Sequence, residues 1–351
     1  MIDRHARTRV YGPTESREED TFYERKKGLS GRDPVNFTAF REAERRFKTK
    51  AGHLDLSGVL DLRCPAQHDS MLKRKRVTCQ GLRTDKELWL YDVVGAEGFC
   101  VIPDALDDVQ QKYWITTALS SYMRPPNATN LDAHYEIPSH GLWQSFLNRQ
   151  TLEIRRIPHP DDSAKKLTLP LELSLDPEQI ERLIRRIRWV TLGYQYDWTS
   201  KQYDFVKSPA VFPKELAEWS RSVSEAAGFG PFTAEAGIVN FYQHGDTLTG
   251  HVDRSEPNMS APLISLSLGA ECIFLLGGAD RNDPVIPMIL RSGDVLLMTG
   301  PSRLFYHGVP RILETETRLS YDPNHDEPDS ETALCLLGGA RININIRQVN
   351  P

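Results

Sequence analysis

Among the His-x-Asp triplets of this 351-residue chain, one has the neighbours needed to bind a metal ion. In a strand, residues i and i+2 point to the same side, so His251 and Asp253 can bind one ion together. A third ligand is available in His307, at the end of a later predicted strand. Two histidines and one carboxylate on one face of an octahedron are typical of a non-haem Fe(II) centre, which keeps positions open for a cosubstrate and O₂.

The triplets at 53–55 and 159–161 lack such neighbours. The first follows a charged helical segment with no strand pattern. The second contains a proline and precedes another aspartate, as in an exposed turn. We therefore place the predicted metal site at 251–253.

A strand with two different faces is predicted at residues 341–347, RININIR. Strict alternation puts four polar side chains on one face and three isoleucines on the other. Inward-facing arginines are costly unless anions neutralise them, and a planar guanidinium binds a carboxylate through two hydrogen bonds. Arg341 and Arg347 therefore predict a site for a small dicarboxylate. The alternative is an edge strand with its arginines in solvent.

Asn240 and Tyr242 lie on one face of another predicted strand, a few residues before His251. Both side chains can donate hydrogen bonds to a carboxylate. They fit a cosubstrate pocket beside the metal, although packing alone would also explain this spacing.

The composition is that of a globular protein: 39% of residues are hydrophobic and 26% are charged. The length suits one large domain with an extension or two modest domains. Five scattered cysteines without a CxxC pair argue against a disulfide framework and against a thiolate zinc site. No apolar run is long enough for a membrane span, and no secretory signal is visible, so we expect a soluble protein of the nucleus, the cytoplasm or the mitochondrion.

The net charge is −5, yet basic residues occur in clusters. The clusters lie at 24–27, 44–50, 72–76 and 182–188. Such patches can bind phosphate even on an acidic protein. Solvated helix faces are the alternative explanation.

Residues 1–90 are polar and irregular, which predicts an N-terminal tail, a helix and a charged linker. The helix is indicated by three-to-four spacing of Phe37, Phe40, Ala43 and Phe47. From 91 to 351 we predict one domain, because apolar runs cut by glycine and proline begin there.

Further helices are predicted at 108–123, from Asp176 as N-cap, and at 213–227. From residue 236, short β-type segments recur about every 10 residues, with turn residues between them. They are AGIVNFY, LISLSLG, CIFLLGG, DVLLMTG, RLFYHGV and RININIR. This pattern predicts a mainly β protein with flanking helices (α+β) and a sandwich or jelly-roll core at 230–351.

Several motifs resemble the AlkB family of Fe(II)/2-oxoglutarate dioxygenases. The similar segments, in the family's order, are NFYQHGDTLTGHVDRSE, APLISLSLGAECIFLLGG, RNDP, SGDVLL, SRLFYHG and RININIRQ. Upstream, GFCVIPDAL, RWVTLGYQYDW and FTAEAGIVNFY resemble the eukaryotic AlkB homologue one branch. The similarity to that branch extends to AFREAERRF and LSGVLDL.

The resemblance implies a double-stranded β-helix with a helical N-terminal extension. It implies that Fe(II) is bound by His251, Asp253 and His307. The 2-oxoglutarate pocket is expected to include Asn240, Phe241, Tyr242, Arg341, Asn343 and Arg347. Within this set, Arg341 is the expected partner of the distal carboxylate. Residues expected to line the nucleotide pocket, in a recognition region at 124–205, are Trp143, Tyr194, Gln195 and Tyr196.

The activity implied by the resemblance is oxidative removal of N-methyl groups from nucleic-acid bases, with release of formaldehyde. N1-methyladenine in tRNA is the first candidate substrate, and methylcytosine in tRNA and N6-methyladenine in single-stranded or unpaired DNA are others. Two alternatives stay open, a protein (histone) demethylase or hydroxylase of the same chemistry and a non-catalytic nucleic-acid-binding protein. O₂ would be a cosubstrate, and no membrane partner is expected.

Two features depart from the family pattern. Ser255 stands where the bacterial member has an acidic residue that helps to recognise the base, so the substrate preference of that member does not carry over. The stretch between His307 and Arg341 is longer than in compact members. Its segment YDPNHDEPDSET predicts a mobile acidic loop.

Overall fold

The computed structural model describes residues 37–48, 54–158, 170–197, 200–206, 209–315 and 319–350. Three predicted features lie outside these residues. They are His53 of the first triplet, the whole triplet at 159–161, and the basic cluster at 24–27.

Six α-helices occur in the described part of the chain. They are α1 (Ala39–Lys48), α2 (Asp108–Thr117), α3 (Gly141–Leu147), α4 (Pro177–Ile184), α5 (Lys214–Ala226) and α6 (Asp329–Leu337). Helix α4 begins as predicted, because the Asp176 side chain accepts a hydrogen bond from the Gln179 backbone and the Gln179 side chain accepts one from the Asp176 backbone. None of these helices, within the residues described, is long and apolar enough to cross a membrane.

Seventeen strands occur in the same residues. They are β1 (Leu72–Val77), β2 (Leu88–Val93), β3 (Phe99–Ile102), β4 (Tyr135–Glu136), β5 (Leu152–Arg156), β6 (Glu172–Leu175), β7 (Trp189–Gly193), β8 (Tyr196–Asp197), β9 (Gln202–Tyr203), β10 (Ala236–Tyr242), β11 (Leu248–His251), β12 (Leu263–Gly269), β13 (Cys272–Leu276), β14 (Ile286–Leu290), β15 (Val295–Met298), β16 (His307–Ile312) and β17 (Arg341–Arg347).

Two antiparallel sheets form the core of the fold. The larger has eight strands in the order β1-β2-β3-β15-β12-β17-β10-β7, and the smaller has four in the order β11-β16-β13-β14. Two small sheets, β4-β5-β6 and β8-β9, lie outside this pair. Chain neighbours are often not sheet neighbours, as expected for a jelly roll. The predicted fold class, a mainly β jelly roll with flanking helices, is confirmed.

Apolar side chains fill both faces of the larger sheet. Between the two sheets, the rings of Phe99 and Phe274 stack with centroids 6.0 Å apart. On the other face, Ile344 belongs to the same apolar cluster as Ile115 of α2 and Ile180 of α4. Strand β17 is therefore central, with its isoleucines facing the helices and its polar residues facing the space between the sheets. The alternative of an exposed edge strand is wrong.

The segment predicted as a charged linker contains strand β1, which is the edge strand of the larger sheet. Its residues Lys73 to Arg76 are exposed. Charged side chains on an edge strand hinder pairing with other chains. They also replace the alternation of apolar and polar residues by which a strand is recognised in a sequence. Strand β1 ends before residue 90 and pairs with β2, which contains residue 90, so the larger sheet begins before that position. The division of domains at 90/91 stays a prediction.

The segment YDPNHDEPDSET, predicted to be a mobile acidic loop, is partly helical. Helix α6 begins at Asp329 and packs on α2. Before it, the Asp326 carboxylate forms a buried ion pair with Lys112 at 2.7 Å. The prediction of a loop is wrong for residues 329–332, which form the first part of α6. Two acidic residues of the segment, Asp326 and Asp329, have partners on neighbouring helices.

Candidate metal centre and cosubstrate pocket

Strands β11 and β16 bring the three predicted metal ligands together. His251 lies opposite His307 in the antiparallel register, and the centroids of the two rings are 4.4 Å apart. Asp253 follows two residues after the end of β11, with Oδ1 3.5 Å from Nε2 of His251. One potential ligand atom from each residue lies within 4.8 Å of the others. This cluster has the size and composition of a two-histidine, one-carboxylate metal site.

Backbone carbonyls orient both imidazole rings. Nδ1 of His251 lies 3.0 Å from the carbonyl oxygen of Thr249, and Nδ1 of His307 lies 3.1 Å from that of Phe305. A protonated Nδ1 donates to each carbonyl, which assigns the lone pair of each ring to Nε2. Bonds of this kind orient metal-binding histidines and set their tautomer. In this tautomer, Nε2 is the nitrogen of each ring that can bind a metal ion.

The protonation states also suit a cation. Burial alone would raise the pKa of the Asp253 carboxyl, but Arg347 and the two histidines lower it, and the net shift is downward. Burial lowers the pKa of His307 to about 4, and the neighbouring His251 adds to this shift. The cluster therefore carries an ionised carboxylate and a neutral His307 at pH 7, which are the forms that bind a metal.

Arg347 binds the carboxylate of Asp253. Its Nη2 donates to Oδ2 of Asp253 at 2.6 Å, and its Nε lies 2.8 Å from Oε1 of Glu256. Besides this ion pair, Glu256 accepts hydrogen bonds from Arg303, at 3.1 Å, and from the hydroxyl of Tyr203, at 3.2 Å. This buried network holds the segment after Asp253 in place. The sequence predicted that Arg347 faces inward, but it did not indicate that two acidic residues of the protein share its guanidinium.

Arg341 differs from Arg347 in having no acidic partner among the described residues. The residue is 2% exposed. Its Nη2 donates to the Ser267 hydroxyl at 3.0 Å and its Nη1 to the carbonyl of Ile342 at 3.2 Å, while its buried Nε has no hydrogen-bond partner. The guanidinium lies 6.0 Å from the ring of Tyr242. A buried cation without a counter-ion is costly, so this position is suited to an anionic ligand.

The other predicted pocket residues divide between the two faces of the larger sheet. Asn240 lies opposite Asn343 in neighbouring strands, on the face that carries Arg341. Asn343 donates to the Ser265 hydroxyl at 2.8 Å, so part of its hydrogen-bonding capacity is used within the protein. Phe241 points to the helical side and packs in the core there. The structure therefore does not bring Phe241 into the pocket, because alternate residues of a strand face opposite ways.

The aromatic segment at 194–196 contacts Ser255, which lies close to the metal cluster in the sequence. The Tyr196 hydroxyl lies 3.2 Å from the Ser255 hydroxyl, two residues after Asp253. The Tyr196 ring contacts the Tyr203 ring edge to face at 5.2 Å. Gln195 bonds to Thr191 and to the carbonyl of Gly193 within its own segment.

The hydroxyl of Tyr194 accepts a hydrogen bond from Asn350 at 3.5 Å, and its ring lies 5.1 Å from that of Phe205. Tyr203 and Phe205 belong to the same group of aromatic rings. Neither was predicted from the sequence, where the only signal was their short distance from YQY.

Trp143 is not part of this group. It is 4% exposed and packs in the helical core, and its indole Nε1 donates to the Asp329 carboxylate at 3.4 Å. These contacts place the indole in the core on the helical side of the sheet, and a role of Trp143 in a nucleotide pocket stays a prediction. Its environment is that of a core residue, with the Phe146 ring 6.2 Å away.

A further His-x-Asp triplet at 244–246 does not form a cluster of ligands. His244 pairs with Glu314 at 3.0 Å, and Asp246 pairs with Arg188. Both histidine and aspartate therefore have partners on the protein surface. The triplet resembles that at 251–253 in sequence only.

Comparison with known families shows to which superfamily the chain belongs. A family model described as the 2OG-Fe(II) oxygenase superfamily matches residues 98–347, which include the whole metal cluster and strand β17.

The chain belongs to the 2OG-Fe(II) oxygenase superfamily.

Relatives of similar length place this oxygenase in the AlkB family, as its motifs predicted. It is 35% identical to the nucleic acid dioxygenase ALKBH1 of Mus musculus, over 89% of this chain and 84% of that protein. It is 34% identical to the DNA N(6)-methyladenine demethylase ALKBH1A of Arabidopsis thaliana, over 90% of this chain and 97% of that one. It is 34% identical to the tRNA demethylase abh1 of Schizosaccharomyces pombe, over 89% and 96% respectively.

Fe(II) and 2-oxoglutarate are the cofactor and cosubstrate of this oxygenase, as expected for the superfamily. The residues present fit both. The two Nε2 atoms and the ionised carboxylate suit Fe(II). The buried guanidinium of Arg341, which lacks an acidic partner among the described residues, suits a carboxylate of 2-oxoglutarate.

The N-terminal helix α1 contacts the segments that precede both histidines of the oxygenase site. Glu44 is buried, and its Oε1 accepts a hydrogen bond from the backbone of Gly250 at 2.7 Å. The Phe40 ring covers Gly250 so closely that a Cβ there would lie 2.4 Å from it. The same ring lies 6.2 Å from that of Tyr306. Helix α1 thus supports the residues directly before His251 and His307.

We expect the Glu44→Ala substitution to weaken Fe(II) binding by about tenfold, since loss of a residue that supports metal ligands typically costs 10- to 100-fold. The substitution leaves the Gly250 N–H without its partner next to His251. Anaerobic Fe(II) titration would measure the effect. The matched control is Glu42→Ala, which removes an exposed carboxylate from the same helix. Equal Fe(II) affinities for the two variants would contradict a supporting role of Glu44.

Proposed function

We propose that this oxygenase removes N-methyl groups from nucleic-acid bases by hydroxylating the methyl carbon, which is then lost as formaldehyde. The observation that carries the proposal is the intact His251, Asp253 and His307 cluster beside an unneutralised Arg341. Relatives that match most of the chain are named a nucleic acid dioxygenase, a DNA N(6)-methyladenine demethylase and a tRNA demethylase. N1-methyladenine in tRNA is the leading substrate, and methylcytosine in tRNA and N6-methyladenine in DNA are further candidates.

In this proposal, the cluster of His251, Asp253 and His307 binds Fe(II), and Arg341 binds the distal carboxylate of 2-oxoglutarate. Asn240 and Tyr242 lie on the same face of the sheet and contribute to the pocket. Bound iron and 2-oxoglutarate supply the oxidising power, with O₂ as cosubstrate and succinate and CO₂ as products. The task of the protein is to hold the ligands with their Nε2 atoms and carboxylate converging and to keep the cosubstrate in one orientation.

Arg347 has a different proposed task from Arg341. Its guanidinium is occupied by Asp253 and Glu256, so we assign it to the orientation of the ligand carboxylate. Its Nη1 is buried without a hydrogen-bond partner and can donate to the cosubstrate. The two arginines of β17 therefore act at opposite ends of the pocket.

The substrate side of the pocket is formed by aromatic residues near Ser255. A base must leave its stack to reach the iron, and aromatic rings can replace the lost stacking. Tyr196 lies next to Ser255, and Tyr194 and Tyr203 extend the group of rings. We propose that Tyr196 contacts the substrate base. Trp143 is left out of this role because it is buried in the core on the helical side of the sheet.

Release of formaldehyde tests the proposed function. We expect the purified protein with Fe(II) and 2-oxoglutarate to release formaldehyde faster from an N1-methyladenine tRNA stem-loop than from methylated DNA or a methylated histone peptide. Succinate should form in equal amount. Faster release from the peptide would show a protein demethylase instead. Failure to form succinate with any of the three substrates would refute an oxygenase that acts on them.

A further inference from the structure

A cleft lined by arginines lies between the turn before β4, the end of β5 and the segment that joins α4 to β7. Its volume is about 420 Å³. The polar residues that line it include Asn130, His134, Tyr135, Arg156, Arg186 and Arg188. No acidic residue of the described chain lines it, so the cleft is electropositive.

Hydrogen bonds between the walls fix the shape of the cleft. The Asn130 side chain accepts from the backbone of Arg188 at 2.7 Å and donates to the carbonyl of Arg186 at 3.1 Å. Across from them, the backbone of Ile157 donates to the carbonyl of His134 at 2.8 Å. The backbone around Arg186 is thus held in place, which limits the entropy that its side chain loses on binding a ligand.

The arginines near the cleft differ in their partners. Arg182 pairs with Glu178, Arg185 with Glu181, and Arg188 with Asp246. Arg186 is exposed, and it has no acidic partner among the described residues. The basic run at 182–188 is therefore not simply a solvated helix face, because its one unpaired guanidinium lines the cleft.

Two contacts connect the cleft to the oxygenase site. Arg188 pairs with Asp246, which lies in the turn between β10 and β11, and β11 ends at His251. Trp189, which follows Arg188, lies opposite Asn240 in the register of β7 and β10. The cleft is thus adjacent to the strand that faces the cosubstrate.

We propose that this cleft binds a backbone phosphate of the nucleic-acid strand whose methylated base enters the oxygenase site, with Arg186 as the main phosphate ligand. A guanidinium suits phosphate because it donates two parallel hydrogen bonds, and a contact outside the pocket positions the strand without selecting its sequence. The inference rests on the proposed function, since it concerns the same substrate.

A charge-reversal pair provides the test. Arg186→Glu changes the cleft, whereas Arg185→Glu makes the same change one residue away, outside the lining. We expect Arg186→Glu to raise the Kd for a tRNA stem-loop about tenfold and to reduce the slope of log K against log salt by about one, as loss of a phosphate contact predicts. Arg185→Glu should change the Kd by less than about twofold. Arg186→Gln should give an intermediate loss.

Methylated and unmethylated stem-loops should lose affinity equally, because a phosphate contact does not depend on the base. Succinate formed without nucleic acid should be the same for wild type and all three variants. If Arg185→Glu and Arg186→Glu weaken binding equally, or if neither does, the cleft is not a phosphate site. If formaldehyde release fails while Arg186→Glu still weakens binding selectively, the proposed function is wrong and the phosphate site stands.

Discussion

Replacing His251 with alanine is expected to abolish the formation of succinate while leaving the binding of nucleic acid intact. In the proposed site the side chain supplies one of three protein ligands. Its loss should therefore weaken Fe(II) binding by more than about 100-fold, since loss of a residue that only supports a ligand already costs 10- to 100-fold. The stem-loop is expected to bind through the cleft at Arg186 and the aromatic residues near Ser255. Neither contact involves the imidazole of His251.

The experiment compares His251→Ala with His244→Ala in Fe(II) titration, succinate formation and stem-loop binding. His244 is an exposed histidine seven residues earlier, in a triplet of the same kind, and its partner is Glu314. The control should retain iron binding and turnover. Loss of stem-loop binding together with turnover in His251→Ala would contradict the separation of the metal site from the nucleic-acid contacts. Unchanged Fe(II) affinity would exclude His251 as a ligand.

The metal cluster could be predicted because its geometry is local or periodic. Two-residue spacing places His251 and Asp253 on one side, and a histidine at a strand end can complete the set from a distant strand. Strand β17 was predictable for the same reason, since alternation separates Arg341 from Ile342 regardless of which strands lie beside it. In each case the spacing that decides which side chains share a face can be read directly from the sequence.

The partners of these residues could not be predicted, because they depend on which distant segments meet. Nothing in the spacing of Arg347 distinguishes an arginine that binds the cosubstrate from one that binds Asp253 and Glu256. The indole of Trp143 bonds to Asp329, a residue 186 positions away that begins helix α6 in a segment predicted to be a loop. Glu44 lies 206 residues from Gly250, and no sequence pattern links the two.

Arg341→Ala is expected to raise the KM for 2-oxoglutarate by about 10- to 150-fold, because hydrogen bonds to a charged group contribute about 1.5 to 3 kcal/mol and each 1.4 kcal/mol is a factor of ten. The guanidinium has no acidic partner among the described residues, so an anion is the ligand that its environment requires. Arg341→Lys should show a smaller increase, since it keeps the charge and loses the planar fork. Fe(II) affinity should not change, because Arg341 does not contact the metal ligands.

A cosubstrate without the distal carboxylate distinguishes this role from a general loss of structure. 2-Oxopentanoate has the same five-carbon chain, with a methyl group in place of the distal carboxylate. Wild type should turn over 2-oxopentanoate slowly. Arg341→Ala should turn it over at the same rate as wild type, because the missing carboxylate and the missing guanidinium belong to one interaction. If Arg341→Ala impairs turnover with both acids equally, the residue acts on folding rather than on the carboxylate. An unchanged KM for 2-oxoglutarate would assign the distal carboxylate to another residue.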